Sequence, residues 1–80
     1  MNNFGLTSRQ QDVFAFIKRF NNVYGIFPSV REISLGQIEG QQVIEKSSST
    51  GNIHRLLTKL EERKVIERQT GRARSIRILD

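Results

Sequence analysis

The chain has 80 residues and a formal charge of +5, from 13 Lys and Arg against 8 Asp and Glu, with no cysteine. That length holds one domain with a thin core and little room for a deep substrate cleft. Without thiols there are no disulfide staples and no thiolate metal sites, and a reducing compartment fits.

The first element opens on Thr7-Ser8-Arg9-Gln10, a T-x-x-Q capping box that closes orphan backbone donors at a helix start. Val13, Ile17, Phe20 and Tyr24 then recur at helical spacing, flanked by Phe14 and Phe16. Gly25 is placed to end that helix, and Pro28 keeps it from resuming. A second box, Ser29-Val30-Arg31-Glu32, starts a short helix whose apolar residues are Val30, Ile33 and Leu35.

Residues 36–46 carry two glycines among Ile38, Val43 and Ile44. The pattern fits either a loop with a helical turn or a continuation of helix two into a new short helix, with the apolar residues touching the core. Ser47, Ser48, Ser49 and Thr50 read as an N-terminal cap rather than a linker. Ile53, Leu56, Leu57 and Leu60 form the buried stripe of a third helix over residues 49–64. It is roughly 20 Å long at 1.5 Å per residue, a length suited to a DNA major groove. Residues 65–69 and 74–79 read as two strands around a turn at 70–73, with Ile76 and Ile78 on one side and Ser75 and Arg77 on the other. The expected fold is mainly α with a small β-hairpin: a three-helix winged helix-turn-helix spanning residues 1–80.

The charge is unevenly spread. Residues 1–46 have a net of +1 and residues 47–80 a net of +4. On the third helix Ser48, Asn52, Arg55 and Lys59 fall in one stripe about 60° wide, well away from the centre of the apolar one. Arg can bond guanine bidentately and Asn can do the same with adenine, while Lys59 lies a turn further along and suits a phosphate. Ser48, Ser49 and Thr50 stand at a helix start, where backbone N–H groups favour phosphate. The ribbon adds Arg68, Arg72, Arg74 and Arg77 with no acid from 68 to 79. Arg72 and Arg74 flank the turn, within reach of an adjacent minor groove or its phosphates. The helix flank and the ribbon are expected to form one continuous cationic surface. The bland alternatives are a solvated helix face and an edge strand protected by charge.

Arg9 sits in a first helical turn, where a cation opposes the dipole. It reads as an exposed helix residue, with a phosphate contact as the alternative. His54 is the one histidine, which makes a poor metal site and a surface residue. Phe4 and Phe27 read as core caps rather than base-stacking platforms. No nucleophile, acid/base cluster or phosphate loop points to an enzyme, and no cofactor or metal is expected. The N-terminal residues show no signal peptide, and no segment approaches the roughly 20 apolar residues of a membrane span. A cytoplasmic, nucleoid-associated location follows as the expectation.

The run Leu6-Thr7-Ser8-Arg9-Gln10-Gln11-Asp12-Val13-Phe14, then Ile17, Gly25, Pro28 and Ser29-Val30-Arg31-Glu32-Ile33, resembles the N-terminal domain of LexA repressors. Leu57-Thr58-Lys59-Leu60-Glu61-Glu62-Arg63-Lys64-Val65-Ile66-Glu67 is similar to the end of that family's recognition helix and first wing strand, a pattern that other winged helices share. The resemblance covers most of the chain. It implies a winged domain that binds operator DNA as a repressor, with base-reading residues between Ser48 and Lys59. Residues 36–46 are longer than the family's tight turn. The family's self-cleaving, dimerising Ser/Lys peptidase domain has no counterpart in these residues, so cleavage-triggered derepression is not carried over.

The leading expectation is therefore a sequence-specific regulator of transcription that binds double-stranded DNA, with a homodimer formed on DNA as the expected self-association. Two alternatives stay open. One is an architectural DNA-binding factor of excisionase or replication type. The other is an antirepressor-like module that docks a protein.

Overall fold

The computed structural model describes residues 5–69 and 74–79. Phe4 and the expected turn with Arg72 lie outside those residues. In chain order the elements are α1 (Ser8–Tyr24), α2 (Val30–Leu35), β1 (Gln37–Ile38), β2 (Gln41–Gln42), α3 (Thr50–Glu62), β3 (Ile66–Arg68) and β4 (Ile76–Ile78).

Both capping boxes form. Thr7 Oγ1 accepts from the Gln10 amide at 3.2 Å while Gln10 Oε1 accepts from the Thr7 amide at 3.0 Å. Ser29 and Glu32 make the same reciprocal pair at 3.2 and 2.8 Å. Each box satisfies donors that a helix start would otherwise leave orphaned. Gly25 ends α1 in the left-handed conformation, as expected of a stop glycine.

Residues 36–46 are neither a helical turn nor an extension of α2. They form a small antiparallel hairpin in which Gln37 pairs with Gln42 and Ile38 with Gln41. Glu39 and Gly40 make its two-residue turn, both at positive φ (53° and 78°), the combination that matches the right-handed twist of the flanking strands. Gly36 ends α2 at φ +69°, and a Cβ there would lie 2.5 Å from the Ile44 carbonyl oxygen. Gln42 Nε2 donates to the Leu35 and Ile44 carbonyls at 2.7 Å each, which folds the hairpin back on the end of α2.

The core is shared by the three helices and the ribbon. Val13, Phe16 and Ile17 of α1 meet Ile33 of α2, Ile53, Leu57 and Leu60 of α3, and Ile66 and Ile76 of the ribbon, all buried. Each such side chain stabilises the fold by about 1.5–3 kcal/mol relative to exposure. Ile38, Val43 and Ile44 do reach this core, and Phe27 packs against it. Leu35, expected inside, is exposed at the end of α2. Tyr24 also lies at the surface. Its ring packs at a tilt against Phe20 with centroids 4.5 Å apart, and its hydroxyl accepts from the Glu39 amide at 2.7 Å. The end of α1 thereby supports the hairpin tip.

β3 and β4 pair antiparallel with Ile66 opposite Ile78, Glu67 opposite Arg77 and Arg68 opposite Ile76. With side chains alternating along each strand, Ile66, Arg68, Ile76 and Ile78 share the face turned to α3. Glu67 and Arg77 share the other face.

Candidate nucleic-acid interface

α3 is capped by Ser49, whose Oγ accepts from the Gly51 amide at 3.0 Å. Ser47 Oγ donates to the Ser49 carbonyl at 2.9 Å and fixes the entry of the chain. From this start Ser48, Ser49, Thr50, Asn52, Arg55 and Lys59 are all exposed. Ile53, Leu57 and Leu60 hold the opposite side of the helix in the core, so the polar stripe faces outward.

Arg55 and Asn52 are joined: Arg55 Nη2 donates to Asn52 Oδ1. One edge of the guanidinium is thus held. Fixing the fork in advance lowers the entropy lost on contact with a planar acceptor pair such as a guanine edge. Lys59 pairs with Glu62 at 3.6 Å, with both side chains some 60% exposed. A pair so solvated holds Lys59 weakly and leaves it available to a phosphate.

The two flanks of the stripe are built differently. Toward the ribbon, Arg68 reaches back over α3. Its Nε and Nη2 donate to Glu61 Oε1 at 2.9 and 2.7 Å, Nη2 also donates to Thr58 Oγ1 at 3.0 Å, and Nη1 lies 3.4 Å from His54 Nδ1. Toward α1, a groove of about 570 Å³ is lined by Arg9, Lys46, Ser47, Ser48, Asn52 and Arg55, with Glu45 and Leu56.

The single continuous cationic surface expected from the sequence does not form among the described residues. Arg68 faces inward and is engaged by Glu61. Arg77 stands on the opposite face of the ribbon, 3.3 Å from Glu67. Arg74 is turned to α2, where Nη1 and Nη2 meet the two Glu32 carboxylate oxygens at 2.7 and 3.0 Å. Strand alternation sends Arg68 and Arg77 to opposite faces of the ribbon, Arg74 precedes β4, and each of the three meets an acid. Ser48, Asn52 and Arg55 are brought together on one wall, while Lys59 lies further along α3.

Arg9 is not the exposed helix residue that its position suggested. It is half-buried, and its Nη2 donates to the Glu45 carbonyl at 3.1 Å. Lys46 was missed as a lining residue because the path of residues 36–46 was not legible. Thr58, too, gave no local sign of its bond to Arg68. Among the described residues no group of acids and histidines could hold a metal ion, and no helix is long and apolar enough to cross a membrane.

Three helices around one core, followed by a hairpin packed on the third, with that helix's polar face open to solvent, define a winged helix-turn-helix. The chain belongs to the LexA DNA-binding domain family, whose pattern it matches over residues 3–75. It is 43% identical over 75 residues to the LexA repressor of Pelotomaculum thermopropionicum, covering 94% of this chain and 33% of that protein. It is 46% identical over 74 residues to the LexA repressor of Bacillus mycoides, covering 92% of this chain and 32% of that one. The chain therefore spans about a third of the length of these curated relatives.

Proposed function

We propose that residues 1–80 act as one winged helix-turn-helix domain that binds double-stranded DNA sequence-specifically and represses transcription. The observation that carries this reading is the exposed α3 stripe in which Asn52 holds Arg55. Arg55 and Asn52 read base edges in the major groove, and Ser48, Ser49, Thr50 and Lys59 contact backbone phosphates. Arg72 contributes a wing contact. Arg74 reaches DNA only by leaving Glu32, so its first role is to hold the wing. The relatives' name, LexA repressor, supports repression over an architectural or protein-docking role. Two copies pair on two half-sites of DNA, and the site of action is the nucleoid in the cytoplasm.

Selection of bound duplexes from a random pool tests this reading, since it reports specificity and half-site spacing together. The expected result is a single enriched motif, bound at moderate salt at least a hundredfold more tightly than random duplex. Equal affinity for the two duplexes would remove the claim of specificity. Arg72→Ala is expected to weaken binding to all sequences alike and to flatten the salt dependence.

A further inference from the structure

The groove between the start of α1 and the start of α3 has three cations in its lining, Arg9, Lys46 and Arg55, against one acid, Glu45. Lys46 is exposed and makes no ion pair with any described residue. Arg9 is held at one point only, by the bond from Nη2 to the Glu45 carbonyl. Its Nη1 is covered by protein and donates to nothing.

Arg9 is thus unfavourable twice over. A charged donor buried without an acceptor loses its hydration and gains nothing in return, and a cation in the first turn of α1 opposes the helix dipole. The bond to the Glu45 carbonyl occupies one donor of the guanidinium and does not draw on its charge. What the charge does offer is an anion site. The Arg9 side chain lines the groove together with Lys46, and its Nη2 is tied to the loop that leads into α3.

We infer that this groove seats a phosphate of the DNA backbone, with Arg9 and Lys46 as its two cations. The phosphate belongs to the strand that flanks the bases facing Asn52 and Arg55. Because Arg9 is anchored to the loop before α3, a phosphate held there sets how deeply that helix enters the groove. The inference rests on the reading of the chain as a DNA binder and adds two contacts to it.

The test uses the whole 80-residue chain and the duplex enriched by selection. Affinity is measured over a range of salt for wild type, R9Q and R9K. The R9Q variant is expected to flatten the slope of log affinity against log salt by about 0.9, the value of one phosphate, while R9K keeps the wild-type slope. Single methylphosphonate replacements along the duplex are expected to reveal one position that weakens wild type several-fold and leaves R9Q unchanged. If circular dichroism shows R9Q unfolded, K46Q carries the same comparison, since Lys46 anchors no other group. Equal slopes, with no methylphosphonate position that separates variant from wild type, would overturn the site. Failure of wild type to bind any duplex would instead sink the DNA-binding reading beneath it.

Discussion

Arg74 grips Glu32 through two parallel hydrogen bonds, 2.7 and 3.0 Å long, and its Nη1 also donates to the Phe27 carbonyl at 3.0 Å. The same Glu32 oxygen that takes Nη1 accepts the Ser29 amide at 2.8 Å. One carboxylate therefore closes the capping box of α2 and fastens the wing across 42 positions of sequence. Paired forks of this kind fix direction as well as distance.

This relationship is expected to make the hold on the wing depend on pH. The Arg74 hydrogen bond, helped by the Ser29 amide and opposed by partial burial, holds the Glu32 carboxyl below its ordinary value of 4.5. A carboxyl depressed in the folded state stabilises that state fully above its unfolded value, and the contribution is lost as pH falls through the folded value. The two side chains are 42% and 32% exposed, so solvent and salt screen the effect. Glu32→Gln is expected to lower the urea midpoint at neutral pH, with an effect that shrinks as pH falls below the ordinary carboxyl value of 4.5. A stability gap that stays constant down to pH 3 would contradict the assignment.

Gly36 is expected to be intolerant of any side chain. Its φ of +69° and the Ile44 oxygen, 2.5 Å from where a Cβ would lie, act together. Gly36→Ala should destabilise by more than about 1–3 kcal/mol, the usual cost of the left-handed conformation alone. Gly40→Ala, at φ +78° but with open space around it, should cost less. Urea titration of the two variants separates strain from collision.

Arg55→Ala is expected to cost about 1–3 kcal/mol of binding and to relax preference at one base pair. Asn52→Ala should remove both its own contact and the support it gives Arg55. The two changes are therefore expected to be non-additive, with a coupling of at least about 0.5 kcal/mol in a double-mutant cycle on the selected duplex. Strict additivity would mean that Asn52 does not orient Arg55.

Arg68 is predicted to act on stability before binding. Its bonds to Glu61 and Thr58 tie β3 to α3, and its side chain is only 22% exposed. Arg68→Ala should destabilise by about 1 kcal/mol, since Glu61 is a third exposed and water replaces part of what it loses. Hydrogen exchange at the β3 and β4 amides should quicken. Unchanged exchange with a large loss of DNA affinity would show that Arg68 is a DNA contact instead.

Both capping boxes, the buried stripes of α1 and α3 and the alternation of Ile76 and Ile78 were legible in the sequence. They depend on hydrogen bonds and periodicities within a few residues, and local chemistry decides those. The hairpin at Gln37–Gln42 was not legible. Its turn places Glu39 at positive φ, a conformation that a glutamate rarely signals, and the Tyr24 hydroxyl that supports it comes from 15 positions away.

The sequence by itself determined the three helices, the ribbon, the polar stripe from Ser48 to Lys59 and membership of a DNA-binding family. Only the tertiary structure decided what the arginines do. Arg68, Arg74 and Arg77 look equivalent in a line of text, yet strand alternation and the positions of Glu61, Glu32 and Glu67 assign each a different partner. Charge is a property of the residue, whereas the availability of a charge depends on which opposite charge the fold brings within about 3 Å.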